Sequence, residues 1–292
     1  MHVPVLVDEV VAALRPERGG CLVDCTVGLG GHARALVAGG AGRLIGFDRD
    51  PAALALAREA LAAWADRVDL VHADYRDLDA VLDARGIDRV DGVLADLGVS
   101  SLQLDAPGRG FSFRRDEPLD MRMDPTQGVT AAERLAAVDE AELADVIYRF
   151  GEERHARRIA RALVRARAVA PLDTTGRVAD IVRRAVRSGW QRIDPATRTF
   201  QALRIWVNAE LDGLEGFVTA AVGRLAAGGR LAVIAFHSLE DRVVKHTLRG
   251  LAAGDAPAVR LITKRPIVPG DGETAANPRA RSARLRVAER LG

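Results

Sequence analysis

The side chains best able to do chemistry stand at the ends of a series of short apolar runs. Asp24-Cys25-Thr26-Val27-Gly28-Leu29-Gly30-Gly31-His32 follows the run Cys21 to Val23 and precedes a helical pattern, and Asp48 ends the next run. Glycines at such a junction let the backbone turn sharply against a bound nucleotide. Gly28-x-Gly30-x-x-Ala33, with an acid about twenty residues on, also fits the loose dinucleotide fingerprint. Two details favour S-adenosylmethionine. Asp24 opens the turn, which suits the cationic amino end of methionine and would repel a pyrophosphate. Polar groups also recur at later run ends, at Asp74-Tyr75, Asp96 and His237-Ser238. Asp24 as a plain helix cap is the competing reading.

At the carboxyl ends of parallel strands these residues would share one cleft. Asp48 can accept both ribose hydroxyls, Tyr75 can stack on the adenine, Asp74 can meet its amino group, and Asp96 falls beside the methionine end. A sulfonium methyl is already a good electrophile, so transfer to nitrogen needs alignment and a free lone pair. The amine on a base is a poor nucleophile because its lone pair is delocalised. A hydrogen bond to Asp96 would localise that pair and later take the proton. Amino-methyltransferases commonly carry a Pro-Pro-aromatic loop here, but this chain continues Leu97-Gly98-Val99-Ser100-Ser101, so the parallel stops at Asp96. Cys21 and Cys25 lack zinc-site spacing and read as small core residues, and no metal is expected.

These groups need a scaffold of alternating strands and helices. Strand-like runs at Leu22-Val23, Leu44 to Phe47, Val68 to Val71 and Val93 to Leu97 alternate with helical patterns at Val5 to Leu14, from His32, Pro51 to Trp64 and Leu78 to Arg85, which means βαβ units and a parallel sheet. Pro51 suits a first helical position and Gly86 a stop. After Ser100 the pattern breaks. A Gly/Pro/Arg/Asp-rich stretch leads into helical runs at Thr130 to Ala136, Glu140 to Phe150, Glu152 to Ala168 and Arg177 to Ser188. Thr130-x-x-Glu133 reads as a capping box, and Asp173-Thr174-Thr175 as a helix start. A long helix over Phe200 to Ala226, a Gly228-Gly229 turn and the run Leu231 to Phe236 resume the sheet. After a helix at Leu239 to Leu251, Val259 to Thr263 and Ala283 to Ala288 would close it as a hairpin, with Gly254 to Ala258 and Gly270 to Ala280 as polar loops. The expectation is an α/β fold of five parallel strands plus an antiparallel hairpin, the class I methyltransferase layout, with residues 1–104 and 199–292 binding the cofactor and 105–198 an inserted helical domain.

At 292 residues and 48% hydrophobic composition the chain can bury a sizeable core. No apolar stretch is long enough for a bilayer span, and Met1-His2-Val3-Pro4 leads into Asp8 and Glu9, not an apolar leader, so a cytoplasmic protein is expected. The net charge is only +2, so any case for nucleic acid rests on where the cations sit. Nearly all are arginine, with Lys245 and Lys264 the sole lysines. Arg157, Arg161 and Arg165 recur every fourth residue beside Arg154 and Arg158, a helix face able to follow a phosphate backbone or simply to meet solvent. Arg183, Arg184 and Arg187 form a second group, and Arg279, Arg281, Arg284 and Arg286 a third. Phe111 and Phe113 bracket Ser112 in a glycine-flanked loop that can either anchor itself or close on a base drawn out of its stack. His237 and Ser238 can orient that base or cap the next helix.

The motif at 24 to 32, Asp96 to Asp105, Arg109-Gly110-Phe111-Ser112-Phe113, Pro118 to Asp124, Thr197 to Asn208 and Phe236-His237-Ser238-Leu239-Glu240-Asp241-Arg242 together resemble the bacterial 16S rRNA (cytosine-N4)-methyltransferases of the MraW (RsmH) type, over nearly the whole chain. The resemblance implies methylation of a cytosine N4 amine in the decoding region of 16S rRNA, within the small ribosomal subunit. It places cofactor contacts on Gly30, Gly31, His32, Asp48, Tyr75, Asp96 and Gln103. Tyr75 stands where the family often has Phe, which keeps a stacking face. Whether the chain acts as a monomer or a homodimer stays open. A DNA or small-molecule N-methyltransferase, a non-catalytic RNA-binding module and a dinucleotide dehydrogenase are the competing classes; the last has no use for an arginine-rich helical insertion.

Overall fold

Seven strands form one sheet in the order β3-β2-β1-β4-β5-β7-β6 in the computed structural model, which describes residues 4–186 and 193–292. β1 (Cys21–Asp24), β2 (Arg43–Asp48), β3 (Val68–His72), β4 (Val90–Asp96) and β5 (Leu225–Ala235) run parallel. β7 (Arg284–Arg290) is antiparallel to both β5 and the short β6 (Val259–Leu261). This is the expected sheet. Its central strands are continuous apolar runs because helices cover both faces. Val23, Ile45, Val93 and Val233 face one core with α4 (Leu78–Asp83), α11 (Leu214–Arg224) and α12 (Ser238–Leu251). Their neighbours Leu22, Leu44, Leu94 and Ile234 face the other, with α1 (Val7–Leu14), α2 (Gly31–Ala38) and α3 (Pro51–Ala60). The two-residue period of a strand produces that division.

The chain separates into two compact units, Met1–Gly98 with Leu211–Gly292, and Val99–Glu210. The second holds α5 (Ser101–Asp105) and, around its own apolar core, α6 (Ala131–Ala137), α7 (Glu140–Gly151), α8 (Ala156–Arg167), α9 (Thr175–Val186) and α10 (Ala196–Asn208). Capping fixes several starts as expected. Thr130 Oγ1 accepts from the Glu133 amide at 3.2 Å while Glu133 Oε2 accepts from the Thr130 amide at 2.8 Å. Asp50 caps α3 ahead of Pro51.

Four expectations change. The predicted helix over Phe200 to Ala226 is two helices, α10 and α11. Ala209 takes a left-handed conformation (φ 49°) and Gly213 another (φ 75°), and β5 begins at Leu225 with an irregular register before Arg230. Periodicity carries through because each helix buries an apolar face in its own unit: Phe200 and Leu203 in one, Phe217 and Val218 in the other. α8 starts only at Ala156, since Glu152 is left-handed (φ 48°). The Gly270 to Ala280 loop contains α13 (Asp271–Ala276). α9 begins two residues early at Thr175; Arg187 and Ser188, like Met1 to Val3, lie outside the described residues.

Asn208 locks the end of α10. Its Oδ1 accepts from the Met123 amide (2.7 Å), and its Nδ2 donates to the carbonyls of Met121 (2.8 Å) and Arg204 (2.9 Å). Asn208→Ala would leave the Met123 amide and the Met121 carbonyl buried without these partners. A loss of about 2–4 kcal/mol is expected, read as a lower urea midpoint in equilibrium unfolding.

Candidate active site

Three strand ends are laced together around the glycine turn. The Cys25 amide donates to the Leu94 carbonyl (2.9 Å) and the Val27 amide to the Phe47 carbonyl (2.8 Å), tying the turn to β4 and β2. Thr26 Oγ1 accepts from the Asp96 amide at 2.6 Å. Asp48 holds the turn from below: its Oδ2 accepts from the Gly28 amide (2.7 Å) and its Oδ1 from the Asp50 amide (2.8 Å). Gly28 (φ 54°) and Gly30 (φ 81°) are left-handed, and a Cβ on Gly31 would come within 2.8 Å of the Pro4 ring. α2 then begins with no side-chain cap on its first amides.

Asp24, His32 and Asp96 meet at this turn. Asp24 is fully buried and its Oδ1 accepts from the Thr26 amide (3.1 Å), while its Oδ2 has no hydrogen-bond partner among the described residues. Burial pushes Asp24 up to about 7, against the pull of His32. His32 Nε2 stands 3.6 Å from Asp96 Oδ2, an ion-pair separation longer than a hydrogen bond. Burial works against charging His32, but the Asp96 and Asp24 carboxylates outweigh it and raise its pKa. Burial likewise lifts Asp48 to about 6 despite its two amide donors. Buried polar atoms left unpaired at strand ends, beside an uncapped helix start, fit a ligand carrying both amino and carboxylate groups. S-adenosylmethionine has both at its methionine end and would supply a methyl group on sulfur.

Other expected residues take different places. Asp74 is spent: Arg76 donates to both of its oxygens (2.8 and 2.9 Å) and Arg49 lies 3.2 Å away, so it is not open to an adenine amino group. Burial raises Asp74, and the Arg76 and Arg49 contacts overcome it to leave the pKa lowered. Tyr75 opens a short helical turn three residues beyond β3, but it is 7% exposed and packs edge-on to Phe217 with centroids 4.8 Å apart, within the core. Gln103 belongs to the helical unit, where it and Ser100 cap α5 reciprocally. Phe113 packs on Phe200 (4.8 Å) with Arg183 above it, and Phe111 is buried near Arg109, so both anchor their loop.

His237 caps α12, its Nδ1 accepting from the Glu240 amide, and buried Glu240 returns a carboxylate to the Phe236 and His237 amides. His237 and Ser238 also line a cavity of about 520 Å³ with Thr274, Arg281 and Arg284. Sequence reading passed over Thr26, Arg49 and Glu240. A capping signal, Glu three residues after His237, was present for the last.

The arginine groups separate sharply. Arg157, Arg158, Arg161 and Arg165 are exposed along α8 and Arg154 just ahead of it, while Ile159 and Leu163 are buried; Glu140 pairs with Arg161 at 3.1 Å. Arg183 is held by Asp180 and Asp194. In the third group, Arg286 is buried on Asp241 (2.6 Å) and Arg284 shares that carboxylate, so two of its members are structural.

Asp48→Ala removes the carboxylate that supports Gly28 and Asp50 at the glycine turn. Affinity for S-adenosylmethionine is expected to fall by roughly 1–3 kcal/mol, measured by calorimetry. An unchanged dissociation constant would place the ligand elsewhere.

The sequence model of the MraW methylase family matches residues 1–291. A protein of Nitrobacter winogradskyi named Ribosomal RNA small subunit methyltransferase H is 53% identical, aligned over 99% of this chain and 90% of its own. The Sorangium cellulosum protein of that name is 52% identical over 100% and 91%. A putative methyltransferase from Streptococcus mutans, solved in complex with SAH, aligns at TM-score 0.45 and 12% identity over 99% of this chain and 100% of its own. The strand-end cleft thus stands in a chain that a family model matches almost end to end: this chain belongs to the MraW methylase family.

Proposed function

We propose that the chain methylates the N4 amine of a cytosine in the decoding region of 16S rRNA, within the small ribosomal subunit. Relatives about half identical along nearly the whole chain carry a ribosomal RNA small-subunit name, which supports the RNA class. The observation that carries the amine chemistry is Asp96 Oδ1, a buried acceptor with no hydrogen-bond partner among the described residues, at the end of β4. In this reading Asp96 draws the lone pair of the N4 amine outward and receives its proton as the nitrogen–carbon bond forms and the sulfur–carbon bond breaks. No metal takes part.

Gly30, Gly31 and His32 hold the methionine end, Asp48 the ribose hydroxyls, and Tyr75 the adenine side through the wall it builds with Phe217. Gln103 completes the cofactor contacts. The inserted domain, residues 105–198, recognises RNA, with Arg157, Arg161 and Arg165 along its phosphates. Phe111 and Phe113 stiffen the loop that meets the base, and His237 and Ser238 orient it. The test is mass spectrometry of 16S rRNA from cells with and without the gene: an N4-methylcytosine present only with the protein supports this reading, and unchanged 16S rRNA defeats it. Label entering DNA and not small subunits would favour the DNA-methyltransferase alternative.

A further inference from the structure

Four buried polar atoms lacking a hydrogen-bond partner among the described residues are concentrated in the three side chains at the glycine turn: Asp24 Oδ2, both ring nitrogens of His32, and Asp96 Oδ1. Folded proteins leave few such atoms, and a cluster of them marks a place where something else binds. Two carboxylates and one imidazole share this spot, with Asp24 fully buried and His32 5% exposed. If the imidazole were neutral, the fully buried Asp24 carboxylate would stand near the partly buried one of Asp96 with no compensating charge. One proton relieves that cost.

We propose that Asp24 and His32, facing Asp96, form a proton site that is traded for the cofactor's positive charge: binding of S-adenosylmethionine, a net monocation, releases a proton from the site, and binding of S-adenosylhomocysteine, which lacks the sulfonium charge, releases less. The inference rests on the reading that the turn holds the methionine end. Its consequence is a preference for methyl donor over spent product that grows with pH.

The groups facing His32 are Asp24 from β1, Asp96 from β4 and Glu273 from α13, the last with Oε1 already accepting from the Leu6 amide at 2.8 Å. Asp48 from β2 faces Asp24, and the adjacent Cys25 thiol is kept neutral by burial. Asp24 at about 7, Asp48 at about 6 and His32 are all raised relative to an unfolded chain. The stability they lend the free protein is therefore full below the ordinary carboxylate range and is lost as pH rises from there to about 6 to 7. A bound cation favours the deprotonated cluster, so donor affinity changes in the opposite sense. It should strengthen up to about tenfold per pH unit for each proton released, then level off above the window.

Titration calorimetry of the full chain with S-adenosylmethionine, in phosphate and in Tris at about pH 6.5, counts the protons directly, because the buffers differ in ionisation heat. The expected buffer dependence corresponds to about one proton for the donor and less than half of that for S-adenosylhomocysteine. His32→Gln and, independently, Asp24→Asn should shrink the donor's value. Donor heats equal in the two buffers, or equal proton counts for donor and product, overturn the proposal. Absence of any donor binding by the unmodified chain would instead overturn the cofactor cleft beneath it, and the proposal with it.

Discussion

Asp96→Asn is expected to reduce methyl transfer to ribosomal RNA by about 10²- to 10⁴-fold, the range for loss of a positioned proton acceptor. Asparagine keeps the shape and an acceptor oxygen but cannot take the amine proton of the proposed reaction. The Thr26 hydrogen bond is to the backbone amide of Asp96 and so survives the change. The substitution does remove the carboxylate facing His32 at 3.6 Å. Affinity for S-adenosylmethionine should therefore move by no more than about tenfold, much less than the rate. The decisive measurement is single-turnover transfer of labelled methyl under saturating donor. A rate within a few-fold of the unmodified protein would remove Asp96 from the chemistry.

Reversing Arg157, Arg161 and Arg165 to Glu should weaken RNA binding strongly while leaving donor binding intact. The three side chains project from an exposed face whose opposite side, Ile159 and Leu163, is buried, so the fold does not depend on them. Each phosphate that is no longer neutralised by an arginine reduces the slope of log affinity against log salt by about 0.7–0.9. Arg161 already pairs with Glu140, so its share is smaller and the expected drop in slope is about 2. Filter binding of rRNA across a salt series checks this. An unchanged slope would make α8 a solvent face and move recognition to another surface, such as the cavity bearing Arg281.

Much of the sheet was legible because its strands obey one rule. A strand buried on both sides must be apolar throughout, and the runs at 44 to 47 and 93 to 95 could hardly be anything else. The acids were legible too, since polar residues ending such runs have nowhere to go but the strand-end cleft. The break between α10 and α11 escaped because Ala209 carries no turn signal: it adopts a left-handed backbone right after Asn208, whose side chain is fastened to Met121 and Met123 far away in the chain. The arginine groups looked alike as sequence. What distinguishes Arg286 from Arg157 is Asp241, 45 residues away in the chain and 2.6 Å away in space.

Local composition alone therefore decided the alternating fold, the sharp glycine turn and the acids around it, since each follows from what a backbone or a strand of that makeup can do. Tertiary structure decided which of those groups remain available. Asp74 and Tyr75 stand at the right strand end yet are consumed by arginines and by Phe217, while Asp24, His32 and Asp96 are brought together with unspent hydrogen-bonding atoms. Availability depends on long-range partners and on exclusion of water, and neither is a property of any residue's neighbours in the chain.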